Sequence, residues 1–492
     1  MENTDKTSYP GTFGLHQYGK INITATRPAR SVWKDEYTSG ATIAIGGLGG
    51  FLGGLLDDAT IYEGADCTLN LKSVTNFTPK GGSADKGNVQ WGDFAVGMKD
   101  YPTNVVNYGN FTFTGTTNGT FYSGMFCAPY NYSRKNCVNY GTQTINATMK
   151  TNCFPSHGCY DGNANATFVN CENHGDLVFG PKCNVTSQLR TGMYYAKLET
   201  ASKTNIIDGC VNTGDIIIQK GAKIGTETRI GTAVGCQNRG VCLIRNGYTN
   251  SGNIIFSGAC NRKDADKPLC LGGVIGNSSS NGDGDTNTAA YGLAAAATVG
   301  AISYPAGSWT GDIVNTGSIT YDGTCVTGVC IGGIFGDVVS NHTTYAVPSG
   351  AKYIFTGDIT ATGTFATTLV ETDGGAAQDC WNGIGGLYGF TTIAKCVAEN
   401  AEVYSNINAV GYPSVGMFYG FNRTNTCYVK NGKVGGSICK EKKFNGDTFQ
   451  DEEVVVTIDE SNFMDFLYAT TPDWTGVENY DGCSFLSVKP TK

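Results

Sequence analysis

The 492-residue chain has little proline and little charge: it contains 13 prolines, and Asp, Glu, Lys and Arg together make up 15% of it. Disordered chains combine high charge with few aromatic residues, whereas this chain is 11% aromatic, so we expect it to fold. The 69 glycines keep no Gly-x-y register, which excludes collagen. No cluster of Lys and Arg could follow a phosphate backbone, which argues against a nucleic-acid partner. No apolar run reaches the ~18 residues of a membrane-spanning helix, so no membrane span is expected.

A short motif built around Asn-x-Gly recurs along the chain. Its clearest copy covers residues 210–216, and related copies place glycines at 109, 141, 175, 252, 317 and 357. The steps between successive motif glycines are 32, 34, 39, 38, 65 and 40 residues, so one gap holds a long insertion. A fixed period in this range is typical of a repeat architecture. Asn-x-Gly supplies the left-handed or tight backbone that a corner needs, and the β-branched residues after it favour a short strand.

A glycine-rich motif follows several copies of the first one. Residues 271–276, 331–336 and 384–389 share the pattern Ile/Leu-Gly-Gly-x-x-Gly. Paired glycines in a strand indicate a close backbone approach or a sharp bend. Units of this kind bury a core only when they stack on one another. We therefore predict an all-β fold, a right-handed parallel β-helix (β-solenoid) with about twenty residues per turn, two turns per repeat and a length on the order of 100 Å.

Composition divides the chain into three parts. The repeat body is predicted for residues 39–440, preceded by a polar arm (1–38) and followed by a segment (441–492) of different texture. In the arm, residues 21–26 alternate like a strand, and Ile21 and Ile23 are candidates for docking on the edge of a neighbouring copy. The alternative is that the arm folds back on its own first turn. Residues 453–458 predict a strand and 461–468 a short amphipathic helix, which together would form a small α+β cap on the open end.

The nineteen cysteines fall into two groups. Cys137, Cys171 and Cys210 each lie four residues before a motif glycine, where other copies have Val105, Tyr248 and Ile313. This exchange with apolar residues predicts a buried column of thiols. Other cysteines bracket short loops, which predicts local disulfides and an oxidising compartment. The predicted pairs are Cys260 with Cys270, Cys325 with Cys330, Cys236 with Cys242, and Cys153 with Cys159.

One loop offers candidate metal ligands. Asp283, Asp285 and Asn287 alternate in a glycine-rich loop whose oxygens could hold calcium. A solvated loop is the plainer interpretation, because no bidentate Glu follows at the expected distance. The four scattered histidines and the absence of paired Cys-x-x-Cys motifs give no zinc pattern. No other cofactor is predicted.

A carboxylate ladder is the best candidate for catalysis. Asp176, Asp215 and Asp358 occupy equivalent positions in their repeats, and polysaccharide-cleaving enzymes use carboxylates on one face. Other copies have Asn or Ser at the same position, namely Asn110, Asn253 and Ser318. A position open to Asp, Asn and Ser is expected to cap a turn rather than to act as a general acid. We therefore predict no catalytic residue.

The combined pattern resembles the GLUG-like glycine-rich repeats of secreted and surface proteins from gut Bacteroidetes. The resemblance rests on residues 210–216, on residues 331–336 and on the closing run 462–485, and it covers roughly residues 100–490. It implies a parallel β-helical surface or adhesion protein without a cofactor.

These observations lead to one functional expectation with two alternatives. We expect an extracellular or cell-surface, non-enzymatic structural or adhesive β-solenoid, not an enzyme. Its partners would be a glycan, a protein, or further copies of itself in a head-to-tail filament. The alternatives are a carbohydrate-active β-helix enzyme and a viral or phage fibre or tailspike.

Overall fold

The computed structural model describes most of the chain between residues 12 and 491. The residues that it does not describe are 1–11, 14–15, 27–42, 47–48, 53–54, 57, 75–88, 93–94, 99–101, 118, 125–132, 162–165, 199–203, 226, 238–240, 261–267, 280–296, 300–301, 305–310, 340–351, 367, 370–377, 380–381, 392–395, 411–413, 423–426, 445–448, 469–479 and 492. The described part is almost entirely β, and its large sheets are parallel. The predicted all-β parallel β-helix is therefore confirmed.

Three sheets form the walls of the solenoid. The strands of sheet 1 are His16–Gln17, Ile21–Thr26, Thr60–Ile61, Cys67–Val74, Val106–Asn107, Phe111–Thr117, Arg134–Lys135, Val138–Asn139, Gln143–Met149, Thr167–Val169, Glu172–Asn173, Leu177–Phe179, Asn184–Val185, Thr204–Asn212, Ile216–Ile218, Lys223–Ile224, Val241–Asn250, Ile254–Phe256, Ala259–Cys260, Ile313–Asn315, Ile319–Tyr321, Thr324–Cys325, Tyr353–Phe355, Ile359–Ala361, Ala401–Ala409, Lys433–Phe444, Phe449–Ile458 and Ser484–Phe485. Sheet 2 contains Ile43–Gly46, Val89–Gly92, Phe121–Gly124, Cys153–Phe154, Gln188–Thr191, Glu227–Gly231, Leu269–Gly272, Val329–Gly332, Gly383–Gly385 and Ser414–Gly416. Sheet 3 contains Cys159–Asp161, Tyr195–Leu198, Val234–Gln237, Ile275–Ser279, Phe335–Val339, Tyr388–Thr391 and Tyr419–Asn422.

Smaller sheets accompany these walls. The parallel pairs are Thr12–Phe13 with Leu55–Leu56, and Gly49–Leu52 with Ala95–Met98. The antiparallel pairs are Ala297–Val299 with Ile302–Tyr304, and Thr368–Leu369 with Gln378–Asp379. A three-stranded parallel sheet contains Cys396–Glu399, Cys427–Lys430 and Tyr480–Asp481.

One repeat makes one turn of the solenoid. Asn107 pairs directly with Asn139 on the neighbouring strand, 32 residues later, and Asn173 pairs with Asn139 on the other side. The same register continues through a column whose members are Gln17, Ile61, Asn107, Asn139, Asn173, Asn212, Asn250, Asn315, Phe355, Val403, Val434 and Phe485. The prediction of two turns per repeat is therefore wrong, because the Asn-x-Gly and Gly-Gly motifs occupy different walls of the same turn. Eleven steps between twelve members, at about 4.8 Å each, span about 50 Å rather than 100 Å.

The motif glycines are required by close packing between turns. A Cβ at Gly175 would overlap the carbonyl oxygen of Gly141, and Gly214 stands in the same relation to Gly175. These glycines do not have positive φ, so the predicted left-handed backbone is not at this position. It lies three residues before the motif asparagine, where Asn104, Asn136 and Asn170 have φ of 52°, 53° and 48°. Asparagine tolerates this conformation better than most residues.

The Gly-Gly motif forms the junction of sheets 2 and 3, and the predicted close approach is confirmed. Leu269–Gly272 ends sheet 2 in one turn, and Ile275–Ser279 begins sheet 3. A Cβ at Gly276 would lie 2.6 Å from the backbone nitrogen of Ile230 on the preceding turn. Any side chain here would force the two walls apart.

Each end of the solenoid is formed by its own terminal segment. Ile21–Thr26 is a strand that pairs in parallel with Cys67–Val74 of the same chain, so the arm folds back as the first turn, with Ile21 and Ile23 half-buried against the core. At the other end, Lys433–Phe444 and Phe449–Ile458 form an antiparallel hairpin. The predicted C-terminal helix is only a 3-10 turn, Phe463–Phe466, after which Leu467 is fully buried.

Candidate functional site

A ladder of six buried asparagines runs along one corner of sheet 1. The Nδ2 group of each asparagine donates a hydrogen bond to Oδ1 of the asparagine on the next turn, at 2.6–2.8 Å, through Asn107, Asn139, Asn173, Asn212, Asn250 and Asn315. The last member instead reaches the carbonyl of Gly333 at 2.7 Å. Buried amides are stable when they are paired in this way, so the asparagine ladder holds successive turns in register.

The predicted carboxylate ladder is a set of turn caps. Asp176 Oδ1 accepts a hydrogen bond from the backbone N–H of Asp215 on the next turn at 2.8 Å, and Asp215 Oδ1 accepts one from Asn253 at 2.7 Å. Asp358 Oδ1 accepts one from the backbone of Asn406 at 3.0 Å. Each side chain thus binds the equivalent backbone group one turn later. The predicted capping role is confirmed by these contacts.

The predicted thiol column is also confirmed. Cys137, Cys171 and Cys210 are buried on successive turns and are not disulfide-bonded. Their sulfurs donate to the carbonyls of Lys135, Val169 and Asp208, two residues before each of them, at 3.4–3.5 Å. Burial raises the pKa of Cys137 well above its ordinary value. These thiols behave as small apolar groups of the core.

An exposed column of aromatic side chains lies beside the asparagine ladder, and sequence reasoning missed it. Each member directly follows a member of the paired column, and the set is Tyr18, Tyr62, Tyr108, Tyr140 and His174. The rings of Tyr108 and Tyr140 are stacked at 4.9 Å and 3°, and those of Tyr140 and His174 at 4.8 Å and 13°. The Tyr18 and Tyr62 rings stack at 4.4 Å. The signal was the middle residue of Asn-x-Gly, which is aromatic only in the early repeats.

The aromatic column is accessible and hydrogen-bonded at one end. Tyr18 is 70% exposed, and Tyr108 and Tyr140 are 42% and 45% exposed. A hydrogen bond with Tyr18 raises the pKa of Tyr62. His174 closes the column: Nδ1 lies 2.8 Å from Thr213 Oγ1, and Nε2 lies 2.9 Å from Glu172 Oε2. The next four turns continue the column with the small polar residues Thr213, Ser251, Thr316 and Thr356.

A buried polar cluster lies on the face of sheet 2 that points away from the main core. Cys270 and Cys330 are in register on neighbouring strands and pack with Phe390 in a separate small cluster. The Arg229 guanidinium donates from Nη1 to Cys270 Sγ at 2.8 Å and to the carbonyl of Pro268. Cys270 Sγ donates to Asp337 Oδ2 at 3.7 Å, and that oxygen also accepts from Asn277 Nδ2 at 2.9 Å.

Burial and neighbouring charge set the protonation of this polar cluster. Burial raises the pKa of Asp337 to about 6, although Arg229 acts in the opposite direction. Burial raises the pKa of Cys330 well above its ordinary value, and a hydrogen bond with Cys270 raises it further. Burial lowers the pKa of Arg229, but the interactions of its guanidinium with Cys270 and Asp337 outweigh burial and leave the pKa above its ordinary value. The guanidinium is the cation of the cluster.

The predicted local disulfides are not present among the described cysteines. Cys260 and Cys270 are both buried thiols, but Cys260 lies in the main core and Cys270 in the small cluster on the other face of sheet 2. Cys260 is instead in register with Cys325, one turn away, just as Cys270 is with Cys330. The short sequence spacing thus connects two different walls rather than closing a loop.

The remaining predicted positions have separate outcomes. Cys236 is on sheet 3 and Cys242 on sheet 1, and both are buried thiols. Cys153 is a buried thiol, whereas the side chain of Cys159 lies outside the described residues. The calcium candidates Asp283, Asp285 and Asn287 also lie outside the described residues. Within the described part, no group of three or more His, Cys, Asp or Glu side chains is arranged to hold a metal ion.

Comparisons of the chain with known protein families, with curated proteins and with solved structures found no match in any of the three. Among the described residues, no helix has the length and apolar character needed to cross a membrane.

Proposed function

We propose that the chain is an extracellular, non-enzymatic structural and adhesive β-solenoid, and that the aromatic column is its contact surface for a glycan or a protein. The observation that carries the proposal is the exposure of stacked tyrosines on consecutive turns. Exposed aromatic residues are normally scarce on a surface and are enriched where proteins bind partners.

The scaffold beneath the column supports this role. Tyr108 and Tyr140 each follow an asparagine of the buried ladder, so the hydrogen bond from Asn107 to Asn139 fixes the backbone below both rings. The rings are also stacked on each other before any partner binds. A surface that is ordered in advance loses little conformational entropy on binding, which favours affinity.

The test is a double substitution in the middle of the column. We expect Tyr108→Ala/Tyr140→Ala to weaken binding to an immobilised glycan panel or to a cell surface by about tenfold or more, as for interface hot spots. The matched control is Ser251→Ala/Thr316→Ala, which changes exposed residues at the same position on later, non-aromatic turns. Unchanged binding of the double tyrosine variant would contradict the proposal. New reducing or unsaturated ends in the panel would instead favour the carbohydrate-active enzyme.

A head-to-tail filament is the second candidate function. Within the described part of the chain, Ile21–Thr26 pairs with a strand on one side only. The free edge of a strand recruits another chain. In such a filament, one subunit would dock on the outer edge of the next subunit's first turn, rather than through a loose arm.

A further inference from the structure

We propose that Cys270 and Cys330 form an oxidation site that reacts with a small-molecule disulfide, and that the product is a disulfide bond linking two consecutive turns. The two residues are directly opposite each other on neighbouring parallel strands of sheet 2. Neighbouring strands lie about 4.8 Å apart, which is within the Cα separation that a disulfide spans.

The groups around Cys270 suit it to be the attacking sulfur. Asp337 Oδ2, 3.7 Å from Cys270 Sγ, is placed to accept the thiol proton. Arg229 Nη1, 2.8 Å away, supplies a positive charge to the sulfur when it becomes anionic. Cys330 lies directly opposite Cys270, and burial and their hydrogen bond raise the pKa of Cys330, which suits it to the second step.

The reaction balances without a further oxidant or reductant. The Cys270 proton passes to Asp337, and the thiolate attacks one sulfur of the small disulfide, breaking its S–S bond and releasing one thiolate. Asp337 then returns that proton to the released thiolate. Cys330 next gives its own proton to Asp337 and attacks Cys270 Sγ, which forms the Cys270–Cys330 bond and releases the second thiolate; this thiolate takes up the proton from Asp337. Two protein thiols are oxidised, and one small disulfide is reduced to two thiols.

Two other sets of cysteines in the same solenoid are internal controls. Cys260 and Cys325 share the same register on neighbouring turns but lie in the main core. Cys137 and Cys171 stack one turn apart, and their sulfurs donate to the backbone carbonyls two residues before them. Cys270 makes the same contact, with Pro268 at 3.3 Å, and is set apart by its further contacts with Arg229 and Asp337. If strand register alone decided which cysteines can be oxidised, all these pairs would react alike. Of these pairs, only Cys270 and Cys330 belong to the polar cluster.

The first experiment uses the folded full-length chain and excess oxidised glutathione. After alkylation of remaining thiols and digestion without reduction, mass spectrometry is expected to find a peptide linked through Cys270 and Cys330, while Cys260, Cys325 and Cys137 remain thiols. Because both sulfurs are buried, we expect a slow reaction that requires local opening. Failure to form the Cys270–Cys330 bond, or formation of Cys260–Cys325 at the same rate, would overturn the proposal.

Substitutions test the assigned roles. Arg229→Met is expected to slow bond formation about tenfold, because a charge-assisted hydrogen bond is lost, and Arg229→Lys is expected to retain most of the rate. Equal rates for Met and Lys would contradict the role of the charge. If these variants do not fold, the single cysteine variants decide: Cys330→Ser is expected to trap glutathione on Cys270, and Cys270→Ser is expected not to trap it on Cys330. Equal trapping on both sulfurs would refute the assignment.

Discussion

At the residue scale, the pKa values of two buried ionisable groups are shifted in opposite directions. Burial lowers the pKa of His157 from 6.5 to about 4. Its ring accepts a hydrogen bond from Asn139 Nδ2 at 3.2 Å and donates one to the carbonyl of Asp176 at 3.1 Å, as a neutral ring does. Burial raises the pKa of Asp337 from 3.8 to about 6. The two groups therefore have opposite effects on stability over nearly the same pH range.

The signs follow from proton binding. Between pH 6.5 and about 4 the unfolded chain binds a proton at His157 that the folded chain does not, so this contribution to the free energy of unfolding is lost as the pH falls. Between about 3.8 and about 6 the folded chain binds a proton at Asp337 that the unfolded chain does not, so this contribution is lost as the pH rises. Each shift corresponds to about 3 kcal/mol.

We expect two substitutions to separate these contributions. Relative to the parent, His157→Gln should gain about 3 kcal/mol of stability as the pH falls from about 6.5 to 4, and Asp337→Asn should lose about 3 kcal/mol from about pH 6 to 4. Urea unfolding at several pH values measures both differences. Each variant is the control for the other, and pH profiles that run parallel to the parent would contradict the assignment.

Some residue roles could be predicted from the sequence and others could not. The exchange of Asp215 with Asn253 in equivalent repeats predicted a hydrogen-bond acceptor, because the acceptor oxygen is common to both, and each accepts a backbone N–H from the next turn. The polar cluster gave no such signal. Arg229, Cys270 and Asp337 meet because strand register brings together positions far apart in sequence, and no spacing rule encodes that register.

At the element scale, the ends of the walls depend on single short segments. Leu467 is fully buried at the end of the 3-10 turn, and its carbonyl accepts the backbone N–H of Phe418 at 3.0 Å. The carbonyl of Phe466 accepts a hydrogen bond from the backbone N–H of Met417 at 2.7 Å. The sequence predicted a helix here because apolar residues recur with helical spacing. The segment is shorter because its backbone groups instead bond to the last turn of the solenoid.

We expect Leu467→Ala to loosen this end of the solenoid. Removing a fully buried leucine typically costs about 2–5 kcal/mol, and in a repeat protein the loss falls mainly on the neighbouring turns. Hydrogen exchange should therefore accelerate at Phe418 and Tyr419 more than at Asn173. Val455→Ala is the control, because Val455 is 62% exposed. Equal protection at Phe418 in the two variants would show that Leu467 does not hold this end.

At the scale of the whole molecule, the repeat period alone could not give the length. A repeat of 32 to 40 residues with two strand motifs is compatible with two small turns or with one large turn. Because Asn107 pairs directly with Asn139, one repeat later, each repeat forms one large turn. The stacking that sequence reasoning predicted is correct, but the cross-section is larger and the body is about half as long, about 50 Å.

The first turn covers the N-terminal end of the solenoid, and the last prediction concerns a chain from which this turn has been deleted. Ile21–Thr26 covers the edge of Cys67–Val74, behind which Leu69 is fully buried. Because deletion of residues 1–35 would expose this edge and the core behind it, we expect the truncated chain to be less stable and to associate, while the full-length chain stays monomeric in light scattering. Deletion of residues 1–11 alone, which leaves the strand intact, is the control. The filament hypothesis predicts the reverse, with the full-length chain assembling and the 1–35 deletion abolishing assembly. A truncated chain as stable and as monomeric as its parent would contradict both.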